Sequence, residues 1–396
     1  SIFLVPKYLV NADGTLGRRN DYEVAKIEEK MGIHGSATCL LNFGDHGDCY
    51  AELLGEERQG MKIMFQMMNE ARIGVGMQGV TSASIAYLHA LQYAKERIQG
   101  SSIRNFKDPS APRVPIIQHP DVRRMLLWMK SNLEGMRALL YYTAFCGDRA
   151  EIETDETRKD KWRGMVEVLT PICKAYTSDI GFRVTETAIQ VYGGYGYCSE
   201  YPVEQFLRDE KIASIYEGAN GIQALDLVGR KLGQKNGAYF MNLIAEMNET
   251  IARYREVPDL KDLAEDVQQA VGALGETGFF FAQCAGQKDF MTPINHAYPF
   301  LMMMGKVISG WFLLWEAGVA KEKLDALRQE KGVAPTDRAA WEAFVKGSKD
   351  AAFYAGKIFS ARYFIKNVLP EAKAAAKAIK SKDMSAMDIP EEGFAS

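Results

Sequence analysis

From Gly60 onward the apolar residues of this chain recur at helical spacing, which limits the fold more than any other feature. Met61, Met64, Phe65, Met68, Ile73 and Val75 open a periodic stretch that runs to about Arg97. A Gly/Ser/Pro-rich break from Gly100 to Pro115 separates it from a second helical stretch, about Asp121 to Phe145. A charged link, Asp148 to Lys161, leads to a third stretch, about Trp162 to Val191, with Pro171 as a place for a kink or a division. The glycines at 193–196 end it, and a fourth helix begins near Asn220. Four long helices joined by loops read as a helical bundle.

A further helical block follows from residue 236 to 396. Its most apolar part, Phe300 to Trp315, is shorter than the ~20 residues a membrane span needs, so it reads as a buried core helix. Residues 1–55 carry strand signals instead. Ile2 to Val5 and Thr38 to Phe43 are short apolar runs, and Asn11-Ala12-Asp13-Gly14 is a turn candidate. The predicted fold class is therefore mainly α, with a partial antiparallel β-domain (1–55), a four-helix bundle (56–235) and an additional C-terminal helical domain (236–396). The chain opens on Ser1-Ile2-Phe3-Leu4-Val5-Pro6, which reads like the middle of a strand, so a longer protein with an upstream N-terminal domain is expected.

A formal net charge of −3 argues against a large nucleic-acid footprint. The six cysteines form no C-x-x-C pair, so neither a zinc site nor a disulfide framework is expected, and a reducing, cytoplasmic setting fits. The five histidines show no ligand spacing, and no metal is expected.

Chemistry concentrates between Gln190 and Lys231. Gly193, Gly194 and Gly196 let backbone approach a bulky partner, and N–H groups there can hold phosphate oxygens. Glycines after a helix are more often a C-cap, so that reading stays open. Glu217 lies beside Ile215 and Tyr216, and a carboxylate among apolar neighbours is a candidate general base. Most glutamates are solvated surface groups, so this too stays open.

The order of motifs goes further. Gln190, Gly193-Gly194-Tyr195-Gly196, Tyr201-Pro202-Val203-Glu204, Arg208-Asp209, Lys211-Ile212, Ile215-Tyr216-Glu217-Gly218 and Ile222-Gln223 stand in sequence over 34 residues. This arrangement resembles the C-terminal signature of the acyl-CoA dehydrogenases. Upstream, the segment Lys30 to Cys39, Leu54-Gly55-Glu56, Glu70-Ala71-Arg72 and Tyr93 to Arg97 resemble that family's stretches leading into its third domain.

The resemblance implies FAD as cofactor and an acyl-CoA thioester as substrate, with Glu217 taking the α-proton while the β-hydrogen leaves as hydride to the flavin. It implies that Arg97 reaches the FAD pyrophosphate, and that Gln190, Gly193 and Gly194 line the FAD adenosine diphosphate of a neighbouring subunit. A homodimer or homotetramer would then be needed. Arg72 and Gly218 are implied at the substrate. Some family members place the base just before the residue matching Arg72, but Ala71 stands there and cannot act, which strengthens Glu217. An electron-transfer flavoprotein is the implied acceptor. Ala219 replaces the family's Thr, removing one hydroxyl near the cofactor. The long C-terminal block is similar to long-form members such as the methylthiopropanoyl-CoA dehydrogenases. With the flavin-contacting strands expected upstream, this chain alone is expected to bind FAD poorly. The competing readings are an acyl-CoA oxidase, and a nucleic-acid-associated flavoprotein suggested only by Lys373, Lys377, Lys380 and Lys382.

Overall fold

The computed structural model describes residues 1–105, 107–334 and 337–395; the side chains of Phe65 and Gln66, and so the place of Phe65 in the periodic stretch, lie outside the described residues. Two compact units are present, Ser1–Arg72 and Ile73–Ser396.

In the first unit six short strands form three antiparallel pairs: β1 (Ile2–Leu4) with β6 (Glu52–Leu54), β2 (Tyr8–Val10) with β3 (Leu16–Arg19), and β4 (Tyr22–Ile27) with β5 (Cys39–Phe43). The predicted turn at Asn11–Gly14 joins β2 to β3: the Gly14 N–H donates to the Asn11 carbonyl, and Gly14 takes φ +83°, a value open mainly to glycine. Asn20 is buried and ties the strands together. Its amide donates to the carbonyls of Pro6 (3.0 Å) and Tyr50 (2.8 Å), and its Oδ1 accepts from the Tyr50 N–H. Every residue of β5 is exposed, so these pairs have little covered apolar face. Helix α1 (Gly60–Glu96) starts in this unit and continues into the second.

The second unit is helical apart from a small antiparallel pair, β7 (Ile98–Ser101) with β8 (Arg113–Pro115), which occupies the segment expected as an irregular break. Next come α2 (Pro120–Ile152) and α3 (Glu156–Tyr192). The expected charged link between them shrinks to three residues, because Glu153 ion-pairs Arg149 and Arg158 across the junction and Asp155 caps α3 by accepting from the Arg158 N–H. Nor does Pro171 divide α3. The proline is buried in the core, where tertiary packing offsets the lost backbone hydrogen bond. The fourth bundle stretch is made in short pieces, α4 (Val203–Glu210) and α5 (Asn220–Asp226), the latter running into a wide turn over Leu227–Lys231.

The remaining helices are α6 (Ala238–Arg255), α7 (Lys261–Gly286), α8 (Met291–Asn295), α9 (Ala297–Glu330), α10 (Arg338–Gly347), α11 (Lys349–Asn367), α12 (Pro370–Lys380) and α13 (Ser385–Asp388). By length and composition α9 could cross a membrane, yet 78% of its most apolar window is buried inside the protein. It packs against α2, α3, α5, α6, α7, α11 and α12, and its Trp311 is fully buried, stacked on Phe312 at 4.3 Å. One continuous hydrophobic core therefore runs on both sides of residue 235.

Helices α1 and α3 approach backbone to backbone. A Cβ at Gly79 would lie 2.7 Å from the Thr177 carbonyl oxygen, and one at Gly181 would lie 2.8 Å from the Gly79 oxygen. The Thr177 hydroxyl donates to the Gly76 carbonyl at 3.0 Å. Further along, Tyr93 stacks on Tyr192 at 4.0 Å. The contacts ascend together along both chains, so the helices run in the same direction and end side by side. That positions the site.

Candidate functional site

Arg97 follows the last residue of α1, and Gln190, Gly193 and Gly194 stand at the end of α3. With the helices parallel, all four meet around one open cleft of about 790 Å³. Gly193 does cap α3: its N–H donates to the Gln190 carbonyl at φ +63°. It also lines the cleft with Gly194, where an added Cβ would meet nothing within 4 Å. The Gly193 N–H is thus spent on the cap, while Gly193 and Gly194 leave the cleft wall free of side chains.

Sequence reasoning did not find the aromatic wall. Tyr93 stacks on Tyr192, Tyr192 meets Tyr201 edge-on at 5.7 Å, and Tyr201 stacks with Tyr195 at 5.4 Å. The Arg97 guanidinium lies over the Tyr195 ring, 5.1 Å from its centroid. That contact orients the charge and exceeds what a simple helix-end cation would show. His119 also lines the cleft, with Nε2 2.7 Å from the Gln99 carbonyl oxygen. A fixed cation, bare glycine backbone and flat rings around such a volume suit an anion joined to a planar ring system, so the adenosine diphosphate half of FAD fits the residues present.

Glu217 lies elsewhere, in the loop between the turn Lys211–Ser214 and α5, and is exposed. Its backbone takes φ +55°, a left-handed conformation that costs a non-glycine residue ~1–2 kcal/mol. Gly218 follows at φ +82°. Buried Gln223 holds both: its Nε2 donates to the carbonyls of Glu217 and Gly218, each at 3.2 Å. Buried donors thus hold a strained backbone in place at an exposed carboxylate, which makes Glu217 a candidate functional residue. The apolar surroundings expected of Glu217 come only from Ile215 and Tyr216, themselves exposed. The Tyr216 hydroxyl hydrogen-bonds the Gln78 side chain, which fixes the loop to α1. Just upstream, burial pushes the Glu210 carboxyl up to about 8, a group the sequence did not single out. Arg208 pairs with Glu204 on α4 at 2.6 Å. Arg72 is buried on α1, in the first unit. Among the described residues no cluster of His, Cys, Asp and Glu could hold a metal ion.

Parallel helices thus end at an open cleft, followed in sequence by a strained acidic loop. Comparison with known proteins gives the class. Residues 58–232 match the model described as "Acyl-CoA dehydrogenase, C-terminal domain", and residues 243–390 match "Acetyl-CoA dehydrogenase C-terminal like". The chain belongs to the acyl-CoA dehydrogenase family. It is 37% identical to a butyryl-CoA dehydrogenase of Syntrophomonas wolfei over 404 residues, covering 100% of this chain and 62% of that protein. It is 37% identical to the 3-methylmercaptopropionyl-CoA dehydrogenase of Ruegeria pomeroyi, covering 94% of this chain and 59% of the relative. The fold matches Caenorhabditis elegans ACDH-11, crystallised with C11-CoA, at TM-score 0.69 and 18% identity over 98% of this chain and 60% of that one. The chain thus spans about three-fifths of the length of its relatives.

Proposed function

We propose that this chain is the C-terminal portion of an FAD-dependent acyl-CoA dehydrogenase, in which Glu217 removes the α-proton of the thioester. The observation that carries the reading is the left-handed Glu217 backbone, clamped by Gln223 with its carboxylate outward. A thioester α-C–H is weakly acidic, so the base must be aimed at it, and rigid backbone aims it. Glu217 accepts the proton on a carboxylate oxygen, and closure of the site over substrate strengthens it as a base by excluding water. Gly218, beside it, leaves room for the acyl chain, and Arg72 is assigned to substrate binding. Arg97, Gln190, Gly193 and Gly194 would hold the diphosphate and adenosine of FAD, which when bound supplies the hydride acceptor. We assign the cleft to the cofactor of a neighbouring subunit in a homodimer or homotetramer, and an electron-transfer flavoprotein as the acceptor. Six unpaired cysteines suit a cytoplasmic setting.

The nucleic-acid reading is weakened, because three of its four lysines are already engaged. Lys380 pairs with Glu276 at 2.7 Å, Lys382 pairs with Asp289 at 3.3 Å, and Lys373 donates to Gln269.

The test is flavin reduction in the full-length protein by a panel of acyl-CoA thioesters, wild type beside Glu217→Gln. Bleaching that depends on Glu217 is expected and would identify the substrate class. Bleaching that survives the substitution would move the base elsewhere.

A further inference from the structure

Lys174, on α3, is the least expected residue of the bundle: its side chain is fully buried. Taking an ammonium out of water is costly, and a well-packed apolar residue of similar size would serve a core at least as well. What it touches shows its use. Its Nζ donates to Asn220 Oδ1 at 2.8 Å. Asn220 is buried too and is the first residue of α5, three positions after Glu217. Its Nδ2 donates to the Ala175 carbonyl at 3.2 Å and to the Ser178 hydroxyl at 3.0 Å. One amide is thus gripped from three sides by α3, in a region of low dielectric where polar contacts are directional and strong.

The strained loop 217–219 is consequently held at both ends of its strain. Gln223 takes the carbonyls of Glu217 and Gly218, and Asn220 pins the residue where the chain returns to helix. Ala219 between them carries no side-chain hydroxyl of its own, so the hold on the loop comes from beneath, from α3. The Nζ donor bonds the amide oxygen and so fixes which way the Asn220 amide faces.

We propose that Lys174, acting through Asn220, is a positioning residue for the Glu217 loop; the proposal rests on the reading of Glu217 as the base. Lys174 touches neither substrate nor flavin in this role. It sets where the carboxylate stands.

The experiment compares full-length wild type, Lys174→Met, Asn220→Ala and the double variant. Three things are read: flavin content, the rate of flavin reduction with α-protonated and α-deuterated acyl-CoA, and amide hydrogen exchange of the peptide 212–223. Each single variant should retain its flavin and a KM within about two-fold of wild type. Each should reduce its flavin at least ten-fold more slowly with a larger α-deuterium isotope effect, since a misplaced base makes proton removal more rate-limiting. Exchange in 212–223 should quicken at least ten-fold while exchange in α2 and α9 stays unchanged. Because both residues act along one route, the double variant should be no slower than the worse single variant. Unchanged loop exchange in both single variants would overturn the proposal. So would exchange that rises throughout the bundle together with loss of flavin, which marks a general packing role, or losses that simply add. If no thioester reduces wild type at all, the reading of Glu217 fails, and the loop-exchange measurement decides the anchor by itself.

Discussion

Replacing Glu210 by Gln should stabilise the protein in a manner that depends on pH. The side chain is fully buried. Desolvation pushes its carboxyl from 4.5 up to about 8; the Ser82 hydroxyl opposes the rise, and the Asp179 carboxylate adds to it. The sign follows from proton counting. The unfolded chain gives up this proton near pH 4.5 and the folded protein near pH 8, so between those values the unfolded state binds fewer protons. Stability then falls as pH rises, at ~1.4 kcal/mol per pH unit, and the loss reaches about 3 kcal/mol at pH 7. It levels off above pH 8. Glutamine has nearly the same shape and cannot ionise, so Glu210→Gln removes this loss. Urea unfolding of the full-length protein, followed by tryptophan fluorescence at pH 5, 7 and 8.5, measures it. The two proteins should lie within about 1 kcal/mol of each other at pH 5, about 3 kcal/mol apart at pH 7 and about 4.5 kcal/mol apart at pH 8.5. A gap of constant size at all three pH values would refute the argument, because it would show that packing and not ionisation separates the two side chains.

Arg97→Ala should weaken FAD binding roughly 10- to 100-fold, the worth of a charge-assisted hydrogen bond, as read by flavin fluorescence on reconstituting the full-length apoprotein. Glu167→Gln should destabilise by about 3–5 kcal/mol at pH 7, because it leaves the fully buried ammonium of Lys231 without its carboxylate; adding Lys231→Met should restore most of the loss, and thermal unfolding tests both. Gly218→Ala should cost ~1–2 kcal/mol in backbone strain, and its Cβ would meet Gln223 Nε2 at 2.8 Å, so the Gln223 clamp loosens. The outcome should be a slower proton-abstraction step with little change in melting temperature, checked by stopped-flow flavin reduction.

Local pattern carried the helices, and ordered motifs pointed to Glu217 and Gly218 and to Gln190, Gly193 and Gly194, which the fold places on one cleft. What escaped was everything made by residues far apart in the chain. Tyr93 and Tyr192 are almost one hundred residues apart, and only the parallel run of α1 and α3, permitted by Gly79 and Gly181, stacks them. The segment from Asp148 to Lys161 looked like a linker because it is charged. Its charges instead finish one helix and start the next, Glu153 joining Arg149 to Arg158 and Asp155 capping α3. Pro171 looked like a breaker because propensity is local, while the packing that tolerates it is not. Lys174 read as one more lysine on a helix, since nothing in its own neighbourhood reveals that Asn220 waits 46 residues on.

Where a protein buries polarity shows where it needs geometry. Apolar groups could fill nearly all of this core, and over α9 they do, with Phe300, Leu301, Met304, Val307, Ile308 and Trp311 all inside. Each polar side chain taken from water instead costs stability unless it is fully bonded. In the 217–223 segment and on the face of α3 beneath it, the chain departs from that economy repeatedly: Asn220 and Gln223 are buried along the segment, Lys174 and Ser178 are buried under it, and each takes part in a hydrogen bond that holds the loop. Packing alone does not require so many. Apolar contacts hold a helix in place but leave a loop free to shift by fractions of an ångström, whereas hydrogen bonds of fixed length and direction do not. The loop that carries the exposed Glu217 carboxylate thus combines left-handed backbone with buried amide clamps and a buried lysine beneath it. The cost in stability falls on the loop to which we assign the catalytic base.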